Sequence, residues 1–322
     1  MAKSSSLALN RIIVIGASAG GVGALCTLMQ QLPTPLPAAI FIVQHIGTRS
    51  VLSEVLQRCQ PQASVVIPKD KEAIIAGRIY VAVPDHHLVI EDSKIRLKKS
   101  PRENFHRPSV DVLFRSAAHV YGAKVIGVIL TGAMDDGASG MFTVKAKGGI
   151  AIVHDPKEAL VADMPLSALE ATEVDYCLPL AQIASLLVKL ANEPVPDGSP
   201  VQADDKTPTD KELNSPNGSH PPFVCPECDG PLTQFRDGDM TRFRCKIGHQ
   251  FSLDALGEAH AEALERGLWI AVRTLEDRSA IQRLRAQKLA ASNQPEQART
   301  ALEIADQAEQ DAALLRSIME RL

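Results

Sequence analysis

Residues 11–23 read "RIIVIGASAGGVG", and the fold follows from how this stretch is understood. Ile12, Ile13, Val14 and Ile15 form an apolar run without alternation, as expected of a strand covered on both faces. Glycines then crowd the chain, and "VGALCTLMQQL" continues with helical spacing. The reading is a strand, a tight turn at Ser18, and a helix. Working outward, "AAIFIVQH" (38–45) predicts a second strand, "RSVLSEVLQRC" (49–59) a helix and "ASVVIP" (63–68) a strand. "GRIYVAV", "HHLVIED" and "KIRLKK" are short and separated by turns, which predicts a small antiparallel insertion. "RPSVDVLFRSAAHVYG" (107–122) predicts a helix with Ser109 as N-cap and Gly122 as C-cap. "KVIGVILTG" (124–132) is a buried strand, "GASGMFTVKAKG" a helix and "GIAIVHD" a strand. This alternation predicts an α/β fold, a doubly wound and mainly parallel sheet with helices on both faces.

The remainder differs in character. Residues 194–222 hold seven prolines among Asp, Ser, Asn and Gly, and predict a flexible linker. A Cys/His cluster follows at 223–251, and 252–322 is strongly helical. There, Leu264, Leu268, Val272 and Leu275 form one stripe, and Leu302, Ala305, Ala308, Ala312, Leu315 and Ile318 another. "SNQPEQ" (292–297) breaks the pattern, so the segment reads as an antiparallel helical pair or a self-associating helix. The organisation expected is therefore 8–193, a linker, a small ribbon, and a helical tail. With 322 residues, 45% of them apolar, a sizeable core is available. A net charge of −4 without basic blocks argues against nucleic acid as partner. No signal peptide or membrane-length apolar run is present, which predicts a cytoplasmic protein without membrane insertion.

Reactive side chains recur at predicted strand ends. Ser18 follows the first strand, His45 ends the second, and Asp135 and Asp136 follow "KVIGVILTG". Open α/β sheets bind ligands at the carboxyl edge, near a switch in strand order. Gly16–Gly20 also fits G-x-S-x-G, in which a serine is lifted on a strand-to-helix turn. A phosphate loop is the competing reading, but neither G-x-x-x-x-G-K-[ST] nor G-x-G-x-x-G is present. Serine, imidazole and carboxylate at one edge supply what acyl transfer requires. The order Ser, His, Asp departs from the usual α/β-hydrolase order. His86 and His87 are adjacent, point to opposite sides of a strand, and read as a surface turn.

"IGASAGGVGAL", "FIVQH", "NFHRPSVDVLF" and "GVILTGAMDDGASGM" together resemble the catalytic domain of CheB-type chemotaxis protein-glutamate methylesterases, over roughly residues 10–192. The resemblance implies hydrolysis of glutamyl methyl esters, and often deamidation of glutamines, on a methylated chemoreceptor or similar coiled-coil signalling protein. It implies Ser18 as nucleophile, His45 as base and Asp136 as orienting acid, Asp135 falling on the family's variable Asn/Asp position. Ala19, Gly20 and Ala133 are the implied oxyanion residues. Arg107 in "HRPSVD" reads either as a fork for receptor carboxylates or as a solvated residue at a helix start. The sequence departs from the family pattern at Ala19, where Thr is common, and at Gly132–Met134, where Gly-Met-Gly is usual. The family's N-terminal phospho-receiver has no counterpart before residue 10, so control in cis by a receiver is not expected. A weakly catalytic scaffold that binds partners through its tail is the alternative.

Cys26, Cys59 and Cys177 are scattered through apolar patterns and read as buried thiols. "CPEC" (225–228) and "CKIGH" (245–249) give C-x₂-C-x₁₆-C-x₃-H. Cys225, Cys228, Cys245 and His249 therefore predict a closed tetrahedral site for a structural zinc, with no cofactor for catalysis.

Overall fold

Seven strands, all parallel, form the central sheet in the order β3-β4-β2-β1-β7-β8-β9. They are β1 (Arg11–Ala17), β2 (Ala38–Gln44), β3 (Ser64–Val66), β4 (Arg78–Val81), β7 (Val125–Ile129), β8 (Ile150–His154) and β9 (Tyr176–Leu178). This computed structural model describes residues 7–45, 51–195, 223–237 and 240–321. The expected linker falls almost wholly outside the described residues.

The doubly wound sheet expected from the alternation is the one observed, and period-two geometry explains its core. Ile13, Ile15, Ile40 and Ile42 face α1 (Gly21–Gln31), α2 (Leu52–Cys59) and α6 (Leu180–Asn192), burying Leu25, Leu28, Leu56 and Leu187. Ile12, Val14, Phe41 and Val43 face the other way. They meet α3 (Val110–Tyr121), α4 (Ala138–Ala146) and α5 (Asp163–Ala171) through Leu113, Phe114, Met141 and Met164. The chain runs outward from β1 to β2, then returns to β7 on the opposite side of β1. That reversal opens a crevice beyond the carboxyl ends of β1, β2 and β7.

Three expectations are corrected. The predicted antiparallel insertion is only the hairpin β5 (His87–Glu91) with β6 (Lys94–Lys98), because Arg78–Val81 pairs in parallel with β2 and β3. Its Tyr80 is fully buried and stacks on Phe41, so this short strand completes the sheet's hydrophobic face. Cys26 and Cys59, read as separate thiols, are joined in a disulfide between α1 and α2, with Cα atoms 5.5 Å apart. Cys177 is exposed on the edge strand β9.

Beyond the sheet, β10 (Leu232–Asp237), β11 (Met240–Cys245) and β12 (Gln250–Ser252) form an antiparallel ribbon. The chain divides into two compact units, Met1–Leu256 and Gly257–Leu322, so the ribbon belongs with the sheet. The second unit contains most of α7 (Leu253–Ala291) together with α8 (Pro295–Met319). Pro295 opens α8, where its missing N–H costs nothing. The buried stripe of α8 is Ala298, Ala301, Ala305, Ala308 and Ala312, small side chains that permit close approach, whereas Leu302 is exposed. Arg283 pairs with Asp306 and Glu309 across the two helices, and Arg316 with Glu276. Among the described residues no helix is long and apolar enough to cross a membrane.

Leu28→Ala tests the division of the core into two faces. Leu28 is fully buried on α1, and the truncation is expected to destabilise the sheet unit by about 2–5 kcal/mol, measured by urea denaturation followed by circular dichroism. A loss below about 1 kcal/mol would contradict this packing.

Candidate active site and metal cluster

Ser18 stands on the turn between β1 and α1. Its N–H donates to the Thr131 carbonyl at 2.9 Å, and its own carbonyl accepts from Gly21 N–H and Gln44 Nε2. Gln44 is buried at the end of β2 and also donates to the His45 carbonyl, so one amide braces both reactive positions. Thr131 Oγ1 lies 2.9 Å from the Ala19 carbonyl and 3.0 Å from that of Val161, and it accepts the Val161 N–H. Two glycines make the turn sterically feasible. Gly20 adopts φ 77° ahead of α1, a left-handed conformation that suits glycine. A Cβ on Gly132 would lie 2.7 Å from the Ser18 Cβ, so only glycine lets the two loops meet.

The histidine and the acid are bonded. His45 Nε2 lies 2.8 Å from Asp136 Oδ2, with both side chains nearly inaccessible. Asp136 accepts three further bonds: from Ser109 Oγ at 2.8 Å, Val110 N at 2.7 Å and Asp111 N at 3.1 Å. Ser109 is the N-cap of α3, as expected, but its hydroxyl makes no cap bond. The carboxylate of Asp136 caps the helix instead and sits at the positive end of its dipole. Burial alone would raise the Asp136 pKa. The bond to His45, the nearby imidazoles and the Val110 amide outweigh burial and hold it well below the usual carboxylate range. His45 Nδ1 is buried and has no hydrogen-bond partner among the described residues. With Nε2–H given to Asp136, Nδ1 keeps its lone pair free on the same imidazole.

Asp111, in the first turn of α3, does for α4 what Asp136 does for α3. Its Oδ1 accepts from Gly137 N at 3.0 Å and Gly140 N at 2.7 Å. Its other oxygen meets Asn104 Nδ2 at 3.2 Å and Arg242 Nη1 at 3.0 Å. Burial pushes the Asp111 carboxyl up to about 7, against the pull of Arg242. None of Gln44, Thr131, Asp111 or Arg242 is distinguishable in sequence from an ordinary polar residue. Only the run Ser-Val-Asp at 109–111 carried a signal, as a helix start.

The remaining candidates divide. The Ala19 and Gly20 amides donate to no acceptor among the described residues and lie at the α1 N-terminus, where N–H groups point outward. Ala133 is half-buried on the loop after β7 and its amide is likewise without an acceptor. Arg107 is not a free fork: Nε and Nη2 engage Asp85, and Nη1 donates to the Ser100 carbonyl. Asp135 is raised in pKa, chiefly by burial. His106 stacks on His45 with ring centroids 3.5 Å apart. His87, expected at a surface turn, is buried: Nδ1 accepts from Ser109 N and Nε2 meets the Pro101 carbonyl.

In the ribbon, the Sγ atoms of Cys225, Cys228 and Cys245 and a ring nitrogen of His249 all lie within 4.8 Å of one another. Cys228 Sγ is 3.7 Å from Cys245 Sγ, and His249 Nδ1 is 3.6 and 3.5 Å from Cys225 and Cys245. Tetrahedral bonds of about 2.3 Å to sulfur and 2.0–2.1 Å to nitrogen require edges of about 3.8 and 3.5 Å. The four side chains therefore fit a metal ion.

Burial, and then the neighbouring His45, depress the His106 pKa from 6.5 to about 4. Between these values the unfolded chain binds a proton that the folded chain refuses, so this contribution to stability falls as pH falls. His106→Phe keeps a flat ring against His45 and removes the titration. Its denaturation midpoint is expected to decline less steeply than that of the parent between pH 6.5 and 4. Parallel profiles for the two proteins would contradict this.

The sequence model described as CheB methylesterase matches residues 13–187. A protein of Leptospira interrogans, whose name carries the protein-glutamate methylesterase/protein-glutamine glutaminase designation, is 49% identical over 181 residues, covering 55% of this chain and 93% of its own. A protein-glutamate methylesterase/protein-glutamine glutaminase of Hydrogenovibrio crunogenus is 37% identical over 187 residues, of which this chain covers 49% of the length. The crystal structure of the Thermotoga maritima CheB methylesterase catalytic domain superposes with a TM-score of 0.54 at 37% identity, covering 56% of this chain and 98% of that one. The matched segment holds the seven-stranded sheet, Ser18, His45 and Asp136 together, and the chain belongs to the CheB methylesterase family.

Proposed function

We propose that this chain is a serine hydrolase that demethylates glutamyl γ-methyl esters on chemoreceptor-type proteins, with glutamine deamidation as a second reaction of the same site. The observation that carries the reading is the 2.8 Å bond between His45 and Asp136, beside a serine turn at the switch point of the sheet. The names of the relatives, protein-glutamate methylesterase/protein-glutamine glutaminase, supply the substrate class.

In this reading Ser18 Oγ attacks the ester carbonyl while His45 Nδ1 takes its proton. The tetrahedral oxyanion turns toward the amides of Ala19, Gly20 and Ala133. Collapse expels methanol, which carries the proton away from His45, and leaves an acyl-serine. Water then attacks, giving its proton to His45, which passes it to the departing Ser18 Oγ as the acyl bond breaks and glutamate is released. With glutamine the leaving group is ammonia and the steps are otherwise the same. Asp136 stays ionised throughout, fixing the Nε2–H tautomer and stabilising the imidazolium. No Ser18–His45 hydrogen bond is present in the resting site, and such contacts commonly tighten only with substrate bound. Arg107 has no assigned contact with substrate, because Asp85 already holds it.

The Cys225, Cys228, Cys245 and His249 set is read as a structural zinc site, since protein ligands fill all four positions. Zinc there holds the ribbon's shape and takes no part in the reaction.

Ser18→Ala is expected to abolish methanol release from a methyl-esterified receptor peptide and labelling by a fluorophosphonate. Asp136→Asn should lower kcat about 10⁴-fold. A wild-type protein that neither releases methanol nor takes the label would overturn the reading. For the metal, native mass spectrometry should find one zinc per chain, lost in Cys228→Ser; a chain purified without bound metal from zinc-supplemented cells would count against it.

A further inference from the structure

The ribbon reaches the catalytic acid through one arginine. Arg242, in the middle of β11, is 2% exposed and points into the sheet unit. Nη2 lies 2.6 Å from Glu103 Oε1, and Nη1 lies 3.0 Å from Asp111 Oδ2. Arg115 covers the other side of Glu103, at 2.6 Å, but approaches Asp111 only to 3.9 Å. The close cationic partner of Asp111 is therefore Arg242. The opposite oxygen of Asp111 holds the amide of Gly137, the residue next to Asp136, and the Asp111 amide itself binds Asp136.

A second strut runs beside the first. Asn104 gives its side-chain N–H to Asp111, accepts the Ser252 N–H at 3.1 Å and donates its own N–H to the Gln250 carbonyl. Asn104 and Phe105 both have left-handed backbone, with φ 47° and 67°, and Phe251 of β12 meets Phe105 edge to face. This is the loop that carries His106 onto His45. Ribbon contacts thus bear on both partners of the bonded pair.

We infer that Arg242 is a positioning residue of the hydrolytic site: by pairing with one oxygen of Asp111 at 3.0 Å, it steers the other onto the turn that presents Asp136 to His45. The inference rests on the hydrolase reading above. A buried carboxylate without a close cation takes up a proton. A neutral Asp111 holds the Gly137 and Gly140 amides less strongly, because charge-assisted bonds are about twice as strong as neutral ones. Asp136 then loses part of its alignment, and misalignment of a catalytic group lowers turnover more than substrate affinity.

The test compares full-length wild type, Arg242→Met, Arg242→Lys, Asp111→Asn and the Met/Asn double variant. Each is checked for melting temperature and metal content, then assayed with p-nitrophenyl acetate and a methyl-esterified glutamyl peptide. Arg242→Met is expected to lower kcat roughly 10–100-fold, with KM within about threefold, and to move the acid limb of kcat to higher pH. Arg242→Lys should recover part of the loss. Asp111→Asn should show a similar kcat loss, and adding Arg242→Met to it should change little, because both act through one carboxylate. A folded, metal-bound Arg242→Met with wild-type kcat and pH profile overturns the inference, as do losses that simply multiply in the double variant. If Arg242→Met does not fold, an unchanged kcat in Asp111→Asn overturns it. A wild type whose Ser18 takes no fluorophosphonate and that cleaves neither ester fails the hydrolase reading, and the inference with it. Labelled, active wild type with an unaffected arginine variant fails the inference alone.

Discussion

Two helices that begin beside each other exchange their caps, and the site is arranged around that exchange. Asp136, ahead of α4, accepts the first two amides of α3, while Asp111, inside the first turn of α3, accepts the Gly137 and Gly140 amides at the start of α4. Each carboxylate satisfies N–H groups that its neighbour's helix cannot satisfy internally. Each also stands where the helix dipole favours negative charge. The pair locks α3 to α4 at the carboxyl edge of the sheet and leaves one Asp136 oxygen directed at His45. Moving either acid would release a helix start, so the geometry at His45 is held by secondary structure and not by the loop alone.

Such an arrangement places several charges out of water. Glu103, Asp111 and Asp136 are all buried, with Arg115 and Arg242 between them. Isolated, any one of these groups would be strongly destabilising, and removing a single partner exposes that penalty. The cluster is tolerated because nearly every oxygen has an amide, hydroxyl or guanidinium against it. The ribbon supplies one of the two arginines, and this small β structure far along the chain groups with the sheet. On the other side of the imidazole, His106 lies flat against His45 and is kept neutral by burial, so it fills space without adding charge.

Much of this was legible in the residues. The run Ile12–Ile15, the glycines after it and the alternation of strand and helix patterns suffice for a doubly wound sheet. In such a sheet Ser18, His45 and the Asp135–Asp136 pair necessarily reach one edge. Other features were not legible, for identifiable reasons. Tyr80 looks like part of a turn-rich insertion, because a strand of four residues has too few positions to reveal its pairing. His87 looks solvent-facing, since its burial is created by Ser109 and Pro101, elements more than ten residues away. Arg107 looks like a substrate fork until Asp85, 22 residues earlier, is seen to occupy it.

By itself, the sequence determined the class of fold, the edge at which its reactive residues gather, and a four-ligand metal pattern. These depend on local periodicity and short spacings, which are properties of the chain read in order. Tertiary structure alone decided that the Asp136 carboxylate caps a helix not its own, and that Arg242 joins the ribbon to that network. Such choices follow from burial, because the strength of a charge or hydrogen bond is set by what surrounds it in space. Residues 106 positions apart, such as Asp136 and Arg242, acquire their relation only when the core closes over them.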